Sequence, residues 1–134
     1  MLEFSPTGLP DDAAPVVRLI YESDPPYYDF WFGSGEAALC CLDKLWRQTE
    51  GSYSHQTSQI WRKDGRIAAL ACHYPAAAEA ALSLADARML GQLRGDLTQL
   101  QQRDALLAWL FPRVPDDVWY LRTLAVDASL RQMG

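Results

Sequence analysis

Two strand-like runs, Gln59-Ile60-Trp61-Arg62-Lys63 and Arg66-Ile67-Ala68-Ala69-Leu70-Ala71-Cys72-His73-Tyr74, are separated by only Asp64-Gly65. An Asp-Gly pair reaches the left-handed backbone of a two-residue turn at low cost, so the segment predicts a β-hairpin. A lone hairpin is marginal in water and needs more strands or a helical layer against its apolar face. The rest of the chain offers both. Leu2 to Ser5 reads as a short first strand, followed by a loop holding Pro6, Gly8 and Pro10. Val118 to Val126 reads as a further strand with little polar alternation, the pattern of a central strand buried on both faces.

The remaining segments carry helical spacing. Asp11 or Asp12 caps a helix that continues through Val16, Leu19 and Ile20. Asp24-Pro25-Pro26 ends it, because a residue before proline avoids the α region. Tyr27 to Phe32 is a dense aromatic run closed by Gly33. Ser34 then caps a second helix with Ala38, Cys41, Leu42, Leu45 and Trp46 on one face, ending before Gly51. Between Ala76 and Leu110, apolar residues recur every three or four positions, interrupted by Gly91 and Gly95. This predicts a helical insert of two helices, or one bent helix, before Pro112 and Pro115. The order is strand, helix, helix, hairpin, helical insert, strand: an α/β (α+β) domain.

Composition narrows the function. The 134 residues fit one domain, and a hydrophobic share of 49 % sustains a core and excludes disorder. A net charge of −5 makes nucleic acid a poor partner, because phosphate binding needs a clustered basic surface. No apolar run reaches the roughly 18 residues needed to span a bilayer, so no membrane partner is expected. Met1-Leu2-Glu3-Phe4 lacks the basic and apolar regions of a signal peptide, which predicts a cytoplasmic location. Cys40, Cys41 and Cys72 are odd in number and lack Cys-x-x-Cys spacing, which argues against disulfides and against a metal site. They read as reduced, buried, small hydrophobes.

The most specific stretch is Trp119-Tyr120-Leu121-Arg122-Thr123-Leu124-Ala125-Val126-Asp127-Ala128-Ser129-Leu130-Arg131-Gln132-Met133-Gly134. Leu124-Ala125-Val126 followed by Arg131-Gln132-Met133-Gly134 resembles the fourth strand and pyrophosphate loop of the GNAT superfamily of N-acetyltransferases. The element order agrees with that family over nearly the whole chain. Tyr28-Asp29-Phe30-Trp31-Phe32-Gly33 and the insert resemble a bacterial branch of it. The resemblance implies a mixed, mostly antiparallel sheet flanked by helices, with a helical insert at 76–110 between the third and fourth strands. It implies acetyl-CoA as cofactor. The backbone of Leu124, Ala125 and Val126 would meet the pantetheine arm, with the Val126 N–H as oxyanion donor. Arg131, Gln132, Met133 and Gly134 would cradle the pyrophosphate. A strand-to-helix loop presents unpaired N–H groups and a favourable dipole there, so an acidic protein can hold a polyanion. Ala128 stands where the family often has proline. Gln132 stands where it often has glycine, at little cost unless that position needs φ > 0. The family pattern runs on past Gly134 with a helix, a fifth strand and a tyrosine acid. Residues 1–134 therefore read as a single incomplete acetyltransferase domain, expected as a homo-oligomer or completed by a further C-terminal segment.

Acetylating an amine requires removing its proton, since a lysine-like ammonium has a pKa near 10.4. Many family members place a glutamate where this chain has Arg122. Arg122 reads either as a binder of an acidic substrate group or as a strand arginine paired with a structural carboxylate. His73, near the end of the third strand, reads as a base or as a packed histidine. His55 reads as solvated. Tyr28 and Asp29 fall where the family places the substrate mouth, and Phe30 and Phe32 read as core anchors. The insert reads as packing, dimer surface or substrate lid. The resulting expectation is acetyl transfer from acetyl-CoA to an amine acceptor, on a small molecule or a protein. The alternative is a non-catalytic module that senses acyl-CoA or mediates association.

Overall fold

The computed structural model describes residues 1–132. Met133 and Gly134 of the expected pyrophosphate loop lie outside the described residues. Four strands, β1 (Leu2–Ser5), β2 (Ser58–Lys63), β3 (Arg66–Pro75) and β4 (Trp119–Val126), form an antiparallel sheet in the order β1-β2-β3-β4. The expected hairpin is present, with Asp64 at φ 51° and Gly65 at φ 78°. Both turn residues are left-handed, which matches the right-handed twist of the flanking strands.

Five α-helices accompany the sheet: α1 (Ala13–Ser23), α2 (Pro25–Phe32), α3 (Gly35–Arg47), α4 (Glu79–Arg94) and α5 (Leu97–Leu107). The aromatic run is α2, a helix that the prolines had concealed. Asp24 ends α1 and also starts α2, its carboxylate accepting the Tyr27 N–H at 3.4 Å. Pro25 and Pro26 occupy the first turn, where the missing N–H is no loss. The alternation of Tyr, Asp, Phe and Trp left the period ambiguous.

The core forms where α1 and α3 pack on one sheet face. Val16, Ile20, Leu42, Leu45, Trp46, Ile60 and Leu70 are all essentially inaccessible. Trp46 also donates its indole N–H to Leu9 O at 2.9 Å. His55 is buried rather than solvated: its Nδ1 lies 3.0 Å from Trp46 O, and its own carbonyl accepts the Gly8 N–H. Phe32 is a core residue, whereas Phe30 is 40 % exposed. Cys41 and Cys72 are buried as expected, and Cys40 is exposed.

The opposite sheet face is apolar and open. β4 lies at the edge of the sheet, not at its centre. Its lack of polar alternation has two causes rather than one. Thr123 and Ala125 are buried under helices, while Trp119, Leu121 and Leu124 stand on the outer face, each more than half exposed. The β3–β4 register pairs Cys72 with Thr123 and then His73 with Leu121, leaving Arg122 as the extra residue of a β-bulge. The bulge breaks the alternation so that Arg122 and Thr123 both turn to the helical side.

The insert is two helices separated by Gly95 and Asp96. Arg94 Nη1 donates to Phe32 O at 2.8 Å, and Arg103 Nη1 to Trp31 O at 2.9 Å. Two guanidinium groups from the insert thus satisfy the last carbonyls of α2, where the helix dipole favours positive charge.

Candidate functional site

A cavity of about 610 Å³ lies between α2, α4, α5 and β4. α2 contributes Tyr27, Tyr28 and Trp31, and the segment after α5 contributes Phe111. Tyr27 is the hub of this aromatic wall. Its ring meets Tyr28, Trp31 and Phe111 edge-on, at centroid distances of 5.1, 6.4 and 6.2 Å. α4 contributes Glu79, Ser83, Asp86 and Leu90, spaced by a turn each and so on one helical face. Asp24 and Asp104, both exposed, stand where the cavity meets solvent.

The floor is a polar cluster around Arg122. Its Nη2 donates to Tyr53 Oη at 2.6 Å and its Nη1 to Tyr74 Oη at 3.2 Å. Its Cζ sits 4.2 Å from the Tyr53 ring centroid, and Nη1 is 3.6 Å from a Glu79 carboxylate oxygen. Tyr74 donates its own hydroxyl to Glu79. Burial pushes the Tyr28, Tyr53 and Tyr74 phenols above their ordinary range, so all three are protonated at neutral pH. Asp86 is 6 % exposed. Its Oδ2 accepts the Ser52 N–H at 3.0 Å and the Ser52 hydroxyl. Its Oδ1 lies against Gly51, where an added Cβ would come within 2.3 Å. Gly51 also holds φ 115°, so both backbone and space require glycine. Burial is the main influence on the Asp86 carboxyl and pushes it upward.

The cavity joins some of the expected site residues and separates others. Arg122 and Tyr28 face it together, linked through Tyr53, whose ring is 6.2 Å from that of Tyr28. Arg122 also stands 3.6 Å from the Glu79 carboxylate, a contact of the kind the second of its two readings expects. Asp29, next to Tyr28, points away and accepts the Tyr21 hydroxyl at 2.9 Å. His73 lies on the outer sheet face, its ring 5.3 Å from Trp119, beside a smaller cavity of about 280 Å³. It does not line the larger cavity.

β4 connects the cavity to an open strand edge. Asp127 N–H donates to Ala68 O at 2.8 Å. By strand alternation Ala125 also bonds toward β3, and Leu124 and Val126 turn their backbone groups to the free edge. Arg131 Nε donates to Val126 O at 2.9 Å. Gln132 adopts φ 60°, so this position does use the left-handed region, at some cost to a residue that is not glycine.

No protein-family model matches the chain, and no curated protein matches it. Solved structures do. An N-acetyltransferase from Staphylococcus aureus Mu50 superposes with a TM-score of 0.71 at 17 % identity, over 100 % of this chain and 69 % of that one. A second acetyltransferase gives 0.63 at 19 % identity, over 100 % of this chain and 67 % of that one. The chain has an N-acetyltransferase fold.

Within this acetyltransferase fold the sequence reading missed Tyr53, Glu79, Asp86 and Phe111 as cavity residues. The signal for two of them was present. Glu79, Ser83, Asp86 and Leu90 form a mixed polar stripe at helical spacing on a helix otherwise rich in alanine and leucine. Such a stripe facing inward marks a lined cavity rather than a core. Tyr53 sits in an irregular loop, where no periodicity points anywhere. Three buried polar atoms on lining residues have no hydrogen-bond partner among the described residues: Trp31 Nε1, Asp86 Oδ1 and Arg122 Nε. Orphaned polar atoms are few in native proteins, and each calls for an account such as strain, a chemical role, or a water or ion as partner.

Proposed function

We propose that this protein is an N-acetyltransferase that moves an acetyl group from acetyl-CoA to an amine of a small molecule or protein. The observation that carries the reading is the double role of β4. One strand turns Arg122 and Thr123 into the cavity and offers the backbone of Leu124 and the N–H of Val126 at an open edge beside it. Free strand groups of that kind suit the amide-rich pantetheine arm, and Val126 N–H is the candidate oxyanion donor. Arg131 and Gln132, with Met133 and Gly134 beyond the described residues, are the candidate pyrophosphate contacts. Acetyl-CoA supplies an activated thioester. The amine nitrogen forms a bond to the acyl carbon, the carbon–sulfur bond breaks, and the proton lost by the amine balances the thiol that leaves. No cysteine or histidine is among the described residues lining the cavity, which favours direct transfer over a covalent acyl-enzyme. Three free cysteines, of which one is exposed, support a reducing cytoplasmic setting.

The test is release of free thiol from acetyl-CoA in the presence of an amine panel, with acetylated product identified by mass. Amine-dependent thiol release is the expected result. Saturable acetyl-CoA binding without turnover on any amine would replace the reading with that of an acyl-CoA-sensing module.

A further inference from the structure

We infer that the α2/α4/α5/β4 cavity selects a small organic cation: an ammonium carried on an aromatic or apolar body, in preference to a neutral or anionic acceptor. The ligand class stands on the cavity alone; its role as acceptor rests on the acetyltransferase reading above.

The first support is charge. Asp24, Glu79, Asp86 and Asp104 line the space, and Arg122 is the single base among the described lining residues. Arg122 is already committed to Glu79 and to the Tyr53 and Tyr74 hydroxyls. Asp86 therefore has no cationic partner of its own, and one of its carboxylate oxygens has no partner at all. Asp24 and Asp104 at the entrance put further negative charge where a ligand enters, and field lines focus in such a cleft. An anionic ligand would meet three unpaired carboxylates and one guanidinium whose two terminal nitrogens are already engaged.

The second support is the wall. Tyr27, Tyr28, Trp31 and Phe111 gather four electron-rich rings around one volume. Ring faces attract cations, most strongly when desolvated, and quaternary ammonium recognition uses such assemblies. The same rings, with Leu90, Leu97 and Leu100, give an apolar body a surface to cover. A cavity of about 610 Å³ is in the size range of sites that take drug-sized molecules.

The experiment uses benzyltrimethylammonium, a permanent cation with no transferable N–H, and 3-phenylpropionate, an anion of similar bulk. Each is titrated into the full chain by calorimetry and by intrinsic fluorescence. The cation should bind saturably and at least about ten-fold more tightly than the anion, a difference of about 1.4 kcal/mol. Asp86→Asn should weaken the cation several-fold while leaving the fold intact by circular dichroism. Asp104→Asn, an exposed change that cannot disturb the core, should weaken it about two-fold and reduce the salt dependence. Tyr27→Leu should weaken it several-fold at either salt concentration. Equal or tighter binding of phenylpropionate, or no saturable binding of the cation up to millimolar concentration, overturns the inference. The probe cannot be acetylated, so that failure leaves acetyl transfer to other acceptors standing. Cation binding without acetyl transfer to any amine upholds the inference and defeats only the transferase reading.

Discussion

Asp86 is the residue at which stability and ligand recognition pull apart. Its carboxyl is buried, and burial holds its pKa above the unfolded value of 3.8 despite the Ser52 hydrogen bonds and the Arg122 charge. The folded protein thus binds the Asp86 proton more tightly than the unfolded chain does. The stability this gives is complete below the unfolded pKa and is lost as pH rises through the folded one. Above its folded pKa the ionised group is therefore a burden on the fold. Asp86→Asn should raise the melting temperature by a few degrees at pH 7, and the gain should vanish below about pH 4, where the native carboxyl is protonated. Thermal melts across that range check it, and a destabilised variant at pH 7 would show that Ser52 needs the charge. Arg122 behaves oppositely. Its fork serves two phenols and a carboxylate, so Arg122→Met leaves several groups without partners at once. The expected cost is about 3 kcal/mol, read from denaturant midpoints. Arg122→Lys recovers only part of it, because one ammonium cannot span Tyr53, Tyr74 and Glu79.

At the scale of elements, the contact between α2 and the insert decides whether the cavity exists. α2 is eight residues long and ends in carbonyls that two insert arginines cap. Hydrogen bonds of this charged kind contribute about 1.5–3 kcal/mol each when well formed. Arg94→Ala combined with Arg103→Ala should loosen α5 from α2 without unfolding the α1–α3–sheet core. Hydrogen exchange read by mass spectrometry should speed up at least several-fold over 97–107 and stay unchanged over β3. The insert was legible as helices from its spacing and from Gly95. Its role was not, because packing surface and cavity wall share the same apolar periodicity. The arginines that fix it contact residues 62 and 72 positions away in the chain.

Over the whole molecule, as far as the described residues go, one sheet face is covered and the other is bare. Phe4, Trp119, Leu121 and Leu124 are each more than half exposed on that outer face, and the free edge of β4 borders it. Contiguous apolar surface and an open strand edge both favour association. Light scattering at tens of micromolar should give a mass above the 15.1 kDa of one chain. Leu121→Lys, which places a charge on the outer face without touching the cavity, should shift that mass toward one chain. Unchanged scattering by this variant would remove the outer face as the association surface.

The sequence by itself determined the local elements whose cause is local. Asp64-Gly65 specified the hairpin because two consecutive left-handed residues admit few alternatives, and the element order with the Leu124 to Gly134 pattern led to the acetyltransferase fold. Tyr28 and Arg122 were legible as site candidates from their places in that pattern. Tertiary structure decided where those candidates stand and what they touch. It turned Arg122 inward through a one-residue bulge, set it on Tyr53, and brought Glu79 and Asp86 across from an insert helix. It placed His73 on the opposite sheet face and Asp29 on the outside of α2. A side chain's residue type fixes what it can donate, accept or titrate. Its partner is fixed by strand register and helix packing, which depend on contacts made far along the chain.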